Sequence, residues 1–215
     1  MKLIKYALIL MLGTLACTAT DAIPEGQPPA PASGSVLFQD DFSSVSTGWE
    51  RMLVNEGVMD YDGGGYRILV NTLQTNFWST PHKDFTDVRI EVDTGKLAGP
   101  DENRIGLVCR FNGKDYYFFI ITSDGYYGMG VFYNGQAILL GNPELQASAD
   151  IHKGVAVNHL RADCVGSTLT FYVNGLQLIQ VDDPTLASGD VGVLAGTFST
   201  PGVDIIFDNF VVLQP

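Results

Sequence analysis

Turn signals recur at short intervals along this chain, and they restrict its fold more than any other feature. Asn112-Gly113, Asn134-Gly135 and Asn174-Gly175 are dipeptides that tight β-hairpins prefer, because both residues tolerate positive φ angles. The segments between the turns are short and strand-like, and none has a sustained helical period. About thirteen such segments joined by hairpins predict an all-β fold, a two-sheet antiparallel β-sandwich.

Composition and charge narrow the class of protein. The 215 residues are 46% hydrophobic and 17% charged, which is typical of a globular domain with ancillary segments. The formal net charge is −12, and the sequence offers no basic stretch that could displace counterions from a phosphate backbone. We therefore expect no nucleic-acid partner.

The first residues have the features of an export signal. Lys2 and Lys5 flank the start of an apolar run that is too short to span a bilayer, so residues 1–16 are predicted to be a signal peptide. The sequence TLAC, which ends at Cys17, resembles a bacterial lipobox, in which the cysteine is acylated. Thr14 departs from that pattern, because leucine is usual there. Ordinary cleavage a few residues later is the alternative.

The segment that follows is predicted to be a tether. Residues 17–34 contain four prolines and little that could enter a core, so we expect a semi-extended, solvated linker. The domain itself would then occupy residues 35–215. We expect the protein to be exported and anchored to a membrane at the bacterial cell surface by its N-terminal lipid. Without the lipid it would be a secreted soluble protein.

Two cysteines remain when Cys17 is assigned to the lipobox. Cys109 and Cys164 both lie in predicted strands, and an exported protein enters an oxidising compartment, so the two thiols could form a disulfide. Closing a loop of about 55 residues would stabilise the domain by roughly 4 kcal/mol in the chain-entropy model. The alternative is two buried free thiols.

One predicted strand is apolar on both faces. In residues 116–121, YYFFII, alternate side chains project to opposite sides, and neither side is polar. One face must pack against the opposite sheet. The other face could bind a glycan, be covered by another part of the chain, or contact a protein partner.

The following strand suggests where a ligand could lie. Gly128 and Gly130 share one face of residues 126–133 and could leave an open floor between rings that stack on sugars. A register shift of one residue would exchange the binding face for the core face. The candidate ligand-binding residues are Trp78, Arg110, Tyr117, Phe119 and Tyr127.

The order of these segments resembles the concanavalin A-like lectin/glucanase superfamily over residues 35–215. The motifs that carry the resemblance are DDFSS, GGYRILV, DVRIEVD, NRIGLVCRF, LRADCVGSTLTFYVNG, GDVGVLAGTF and IIFDNFVV. More narrowly, the chain is similar to laminin-G-like or 3-keto-disaccharide-hydrolase-like domains of bacterial lipoproteins. The resemblance implies a jelly roll, and it supports a Cys109–Cys164 disulfide because that family tends to carry a cysteine in each of those strands. Activity is not implied, since this architecture includes lectins, adhesive modules and glycosidases.

A catalytic motif of the superfamily is incomplete in this chain. Retaining glucanases carry carboxylates as E-x-D-x-E on one strand, which gives the spacing of about 5 Å that a covalent glycosyl intermediate requires. Here Glu91 and Asp93 are present, but Gly95 replaces the second glutamate. No catalytic residues are therefore assigned, and we lean towards a protein that is not an enzyme.

Two sets of oxygen ligands are candidates for Ca²⁺. Legume lectins of the superfamily bind calcium through acids on a strand and its following loop, and a loosely similar set is formed here by Glu91, Asp93, Asp101 and Asn103. The second set comes from QDDF and FDNF, which we expect to pair as the first and last strands, and it contains Asp40, Asp41 and Asp208. Alternatively, these acids cap turns and face solvent, so no cofactor is certain.

Three functional hypotheses follow from these observations. The first is an exported, non-catalytic module that binds a carbohydrate or another surface ligand. The second is a glycoside-processing hydrolase of the 3-keto-disaccharide type. The third is an adhesive or structural domain whose partner is another protein.

Overall fold

The computed structural model describes residues 34–215. The predictions for the signal peptide, the lipidated Cys17 and the tether fall on residues 1–33 or at their border, and so lie outside this part of the chain. The described residues form sixteen strands, which are divided between two antiparallel sheets, and one 3-10 turn at Val45–Thr47. The predicted all-β sandwich is therefore confirmed, with somewhat more strands than the predicted thirteen. Within residues 34–215, no helix is long and apolar enough to cross a membrane.

The strands follow one another closely, as the frequent turn signals predict. They are β1 (Val36–Asp40), β2 (Met52–Val54), β3 (Gly57–Asp62), β4 (Gly65–Val70), β5 (Asn76–Ser79), β6 (Val88–Ala98), β7 (Asn103–Phe111), β8 (Tyr116–Ile121), β9 (Tyr126–Tyr133), β10 (Gln136–Leu139), β11 (Gln146–Ala147), β12 (Val157–Val165), β13 (Thr168–Val173), β14 (Leu176–Asp182), β15 (Asp190–Thr197) and β16 (Val203–Leu213).

Sheet 1 contains nine strands and sheet 2 contains seven. The order in sheet 1 is β14-β13-β12-β6-β16-β4-β3-β2, and β1 also pairs with β16. The order in sheet 2 is β10-β9-β8-β7-β15-β5, and β11 also pairs with β9. The predicted pairing of the first and last strands is confirmed, with Asp40 opposite Phe210.

The main core lies between the sheets and is built by alternation along each strand. In β6, for example, Val88, Ile90 and Val92 are buried, while the charged residues between them are only partly buried. Each fully buried aliphatic or aromatic side chain stabilises the fold by about 1.5–3 kcal/mol relative to an exposed one. The hydrophobic effect therefore fixes the strand registers wherever this alternation holds.

A disulfide joins the two sheets through this core. The Sγ atoms of Cys109 in β7 and Cys164 in β12 are bonded at 2.04 Å, and neither residue is exposed. The predicted Cys109–Cys164 bridge is therefore confirmed, and the alternative of two free thiols is wrong.

Candidate functional site

The register of β8 decides which of its aromatic side chains face the core. Tyr117 lies opposite Val131 and Phe119 lies opposite Met129, and these four residues belong to the core between the sheets. The intervening side chains of β8, which include Tyr116 and Phe118, project from the outer face of sheet 2. Both faces of β8 are therefore buried, but by different parts of the protein.

A second, smaller hydrophobic cluster covers the outer face of sheet 2. Its buried members are Val108, Tyr116, Phe118, Ile120 and Leu194, and its partly buried members are Trp78, Phe111, Phe132, Leu139 and Leu145. Leu139 belongs to β10 and Leu145 to the segment between β10 and β11, so the chain covers part of this face itself. The remainder of the face is a groove of about 380 Å³.

The groove has an apolar floor and apolar sides, one of which is aromatic. Phe118, Ile120 and Leu194 line its floor, and Phe132 and Leu145 line its sides. Its volume lies in the range of about 300–1,000 Å³ that is usual for small-molecule sites. The groove is therefore large enough for a ligand with an apolar face.

A row of aromatic rings extends across strands on this face. The rings of Phe132 and Tyr116 stack with centroids 5.3 Å apart and an interplanar angle of 15°. On its other side Tyr116 meets Trp78, with centroids 5.5 Å apart. Burial raises the pKa of the Tyr116 hydroxyl, while a hydrogen bond with Asn76 and the charge of Arg104 act in the opposite direction.

One end of the groove is polar. Among the described residues that line the groove, Arg104 in β7 is the only cation. The guanidinium Nη1 donates to Oδ1 of Asn76 at 3.0 Å and to the carbonyl oxygen of Thr197 at 2.7 Å. Its Cζ lies 3.9 Å from the centroid of the Phe198 ring, which adds a cation–π contact. Burial lowers the pKa of this guanidinium, although Arg104 stays protonated at neutral pH.

A glycine makes the contact between Asn76 and Arg104 possible. Gly196 in β15 lies opposite Asn76 on one side and Arg104 on the other. A Cβ atom on Gly196 would lie 2.1 Å from Oδ1 of Asn76. The missing side chain therefore leaves room for the two polar groups to meet across the central strand.

The open floor that was predicted at Gly128 and Gly130 is not found in the structure. A Cβ on Gly128 would lie 2.4 Å from Leu145, and one on Gly130 would lie 2.3 Å from the Phe118 ring. The two glycines therefore do not leave an open floor. They admit neighbouring apolar side chains, which form the floor and one side of the groove.

Three of the aromatic candidates belong to the core side of sheet 2. Tyr117 and Phe119 are completely buried between the sheets, and half-buried Tyr127 packs against the same core and donates to the carbonyl oxygen of Leu178. The assignment of Tyr117 and Phe119 as ligand contacts was wrong, because β8 presents its alternate residues outward. Tyr127 does not line the groove, and its contact with a ligand stays a prediction. Trp78 does lie on the outer face, at the end of the aromatic row, and its contact with a ligand stays a prediction.

Arg110 is also buried, and it holds a neighbouring loop in place. Its side chain is 2% exposed, and Nη1 donates to the carbonyl oxygen of Leu186 at 2.7 Å. The Tyr117 hydroxyl accepts a hydrogen bond from the backbone N–H of Leu186 at 3.0 Å and donates to Oδ1 of Asp183 at 2.6 Å. Arg110 and Tyr117 therefore fix the loop between β14 and β15, and Arg110 does not face the groove.

The first set of calcium candidates is divided by the fold. Asp101 pairs with Lys96 at the turn after β6. Asn103 is buried in β7, where its side chain bonds with Ser123. Glu91 and Asp93 lie further back on β6 in sheet 1, so the four residues do not form one site.

The second set of calcium candidates is divided as well. Asp40 is buried and accepts hydrogen bonds of 2.8 Å from Trp49 Nε1 and from the Phe42 N–H. Asp41 is exposed and accepts from Ser43, while Asp208 lies opposite Asp93 in sheet 1. Within the part of the chain that the structure describes, no group of three or more His, Cys, Asp or Glu side chains could hold a metal ion.

The carboxylates of the incomplete glucanase motif lie on sheet 1, away from the groove. His159 Nδ1 is 2.8 Å from Asp93 Oδ1, and His159 Nε2 is 3.5 Å from Glu91 Oε2. Asn209 Nδ2 donates to the other oxygen of Asp93 at 2.9 Å. The acids thus take part in a polar cluster on the sheet that does not carry the groove.

Comparison with protein-family models gave no match, and comparison with curated proteins gave none either. Solved structures did match. The carbohydrate binding module CBM66 from Bacillus subtilis has a TM-score of 0.63 and 16% identity, over 77% of this chain and 95% of that one. A Bacillus subtilis protein of unknown function with a galectin-like fold has a TM-score of 0.61 and 13% identity, over 85% of this chain and 97% of that one.

A GH16 structure is similar to a slightly lower extent. The GH16 protein of a Bacteroides ovatus mixed linkage glucan locus, solved with a product bound, has a TM-score of 0.58 and 12% identity. The match covers 83% of this chain and 100% of that one. Identities this low establish the fold alone. The described chain therefore shares the two-sheet β-sandwich fold of these structures, which is the fold that its sequence motifs indicated.

Proposed function

We propose that this protein is an exported, lipid-anchored and non-catalytic module that binds a glycan in the groove on sheet 2. The observation that carries the proposal is the combination of an apolar, aromatic floor with a fixed polar end at Asn76 and Arg104. Sugar rings have apolar C–H faces and polar edges, so they match such a groove. Each face that is covered contributes roughly 1–3 kcal/mol by area, before the cost of ordering the ligand.

The similar structures support this choice of ligand class. They include a carbohydrate binding module and a GH16 protein with a bound product, as their names state. One fold can carry unrelated functions, so the groove and not the fold is the main argument.

The position of the carboxylates supports a role without catalysis. Among residues 34–215, no Asp or Glu lines the groove. Hydrolysis by the two-carboxylate route requires two such groups beside the glycosidic bond. Glu91 and Asp93 are on sheet 1 and are engaged with His159.

Export and anchoring are supported by the N-terminal sequence and by the cysteines. The lysines, the apolar run and the TLAC motif are the features of a lipoprotein signal, and the segment up to residue 34 would act as the tether. A disulfide between Cys109 and Cys164 fits an oxidising compartment. The tether would hold the groove away from the membrane.

The test is affinity electrophoresis of the full chain through gels that contain a panel of neutral and acidic polysaccharides. We expect at least one polysaccharide to retard the protein without release of reducing sugar. Phe132→Ala, which removes a wall of the groove, should weaken this retention about tenfold. Tyr172→Ala is the matched control, because Tyr172 is a half-buried ring on sheet 1 that stacks with Arg161.

Three results would contradict the proposal. One is an absence of retardation by every polysaccharide. Another is equal weakening by Phe132→Ala and Tyr172→Ala, which would place the ligand elsewhere or reflect general damage. The third is release of reducing sugar by the wild-type chain, which would contradict the non-catalytic role alone.

A further inference from the structure

The arginines of the described chain differ in how their charge is balanced. Those at positions 51, 67, 89, 110 and 161 each form an ion pair with an aspartate. Arg104 has no carboxylate within 4 Å among residues 34–215, although it is only partly exposed. The one arginine without an acidic partner in this range is thus the one that lines the groove.

The hydrogen bonds of Arg104 leave part of its guanidinium open. Only Nη1 has acceptors within the described residues, namely Asn76 Oδ1 and the Thr197 carbonyl oxygen. Both acceptors are neutral, and the ring of Phe198 lies against the guanidinium plane. Nε and Nη2 therefore keep donors that an incoming group could use, and the contacts to Asn76, Thr197 and Phe198 hold the fork in position beforehand.

We propose that the groove selects a glycan with a carboxylate group, that of a hexuronic acid residue, and that Arg104 binds the carboxylate. This inference rests on the proposed function and names the class of sugar. The ring of the acidic sugar would lie over the apolar floor formed by Phe118 and Ile120, with its carboxylate towards Arg104. A guanidinium binds a carboxylate through two parallel N–H donors, which gives both affinity and orientation.

The negative net charge of the protein opposes the binding of acidic polymers, so selectivity for an acidic sugar would depend on Arg104 itself. The chain carries a net charge of −12, so a polyanion is repelled by the protein as a whole. The charge of exposed Glu102 acts to raise the pKa of Arg104, but Glu102 accepts a hydrogen bond from Ser199 and forms no ion pair with Arg104. Retention of an acidic polymer would therefore require a specific cationic site and could not arise from general attraction.

The experiment compares polygalacturonate with its carboxyl-reduced form, in which every uronic acid has become a neutral hexose. Both polymers are titrated into the full chain at fixed salt, and the dissociation constants are measured. We expect wild-type protein to bind the acidic polymer at least tenfold more tightly than the reduced one. This comparison uses a single protein, so it does not depend on whether a variant folds.

Variants at Arg104 locate the effect. Arg104→Gln should weaken binding of polygalacturonate about tenfold or more, and Arg104→Lys should keep part of the affinity. Both variants should have a smaller effect on binding of the carboxyl-reduced polymer. Arg51→Gln is the matched control, because it removes the same charge from an exposed ion pair with Asp60.

The outcomes separate this inference from the proposed function. Equal binding of the two polymers, or equal effects of Arg104→Gln and Arg51→Gln, would overturn the role of Arg104. Retention of neutral glycans without binding of any polyuronate would overturn the acidic-sugar inference and leave the glycan-binding function standing. Failure to bind any glycan would overturn both.

Discussion

The ring of Phe118 fills the space that a side chain on Gly130 would occupy. The two residues lie opposite each other in β8 and β9, and a Cβ on Gly130 would be 2.3 Å from Cζ of Phe118. It would also be 2.4 Å from the carbonyl oxygen of Ile138 in the next strand. The floor of the groove therefore depends on the absence of a side chain at position 130.

Gly130→Ala should displace the Phe118 ring and disturb the groove. We expect a loss of about 1–3 kcal/mol in the free energy of unfolding, as is typical of overpacking, together with weaker glycan retention. Urea denaturation and affinity electrophoresis measure the two effects. Gly95→Ala is the control, because a Cβ there meets its nearest neighbour at an ordinary 3.6 Å. A stable Gly130→Ala variant with unchanged retention would contradict this account of the floor.

The sequence predicted the sandwich, the disulfide and the pairing of the first and last strands, but it placed the aromatic residues on the wrong faces. If Asn112-Gly113 were the centre of a regular two-residue turn, Tyr116 would lie opposite Cys109. In the structure the Asn112 N–H donates to the Asp115 carbonyl oxygen, so the turn lies one residue further along. Tyr117 is opposite Cys109 and shares its core face.

The reason for the difference is a local irregularity in β7. Arg110 has a φ angle of 56°, and the pairing of β7 with β15 shifts register between the partners of Asp190 and Gly192. Such a bulge adds one residue to a strand and reverses the alternation beyond it. A non-glycine residue with positive φ has no clear sequence signal. The predicted disulfide does give a signal for the register, because a cysteine that joins two sheets must face the core.

The polar end of the groove was missed for another reason. Asn76, Arg104 and Gly196 belong to three strands that are far apart in the sequence, and only the order β5-β15-β7 brings them together. Turn signals and alternation predict strands and faces but not which strands are neighbours. Residue spacing alone therefore could not identify this part of the site.

Tyr117→Phe should destabilise the fold without affecting the ligand. The change leaves the Leu186 N–H without its acceptor and removes the hydrogen bond to Asp183, at a cost of about 1–3 kcal/mol in the free energy of unfolding. Glycan retention should stay unchanged, because the ring is on the core face. Tyr133→Phe, at an exposed position, serves as control and should change stability by less than about 0.5 kcal/mol. Reduced retention by folded Tyr117→Phe would contradict the assignment of faces.

The same hydroxyl should make stability fall at alkaline pH. Burial, with the hydrogen bond to Asp183, raises the pKa of Tyr117 from 10.0 to about 12. Below pH 10 the group is protonated in both states, and between pH 10 and 12 the unfolded chain loses its proton first, so stability is lost as the pH rises. Urea unfolding at a series of pH values should show a smaller alkaline loss for Tyr117→Phe than for wild type. Identical losses would mean that Tyr117 does not contribute.

Substitution of Asp40 should destabilise the fold more than substitution of the adjacent Asp41. Asp40→Ala leaves the buried Trp49 Nε1 and the Phe42 N–H without their acceptor, and should cost about 1–3 kcal/mol in the free energy of unfolding. Asp41→Ala removes an exposed turn contact with Ser43 and should cost less than about 1 kcal/mol. Thermal melting followed by tryptophan fluorescence compares the variants. Equal losses would contradict a structural role specific to Asp40.

Removal of the disulfide should produce the largest change in stability. The bridge closes a loop of 55 residues, for which the chain-entropy model gives about 4 kcal/mol. The single variant Cys109→Ala and the double variant with Cys164→Ala should lose similar amounts in urea denaturation, because either one opens the bridge. If the double variant instead lost less than about 1 kcal/mol, the denatured chain would already be restricted without the bridge. Because Cys109 shares the core face with Tyr117 and the groove lies on the other face, variants that still fold should bind the glycan as wild type does.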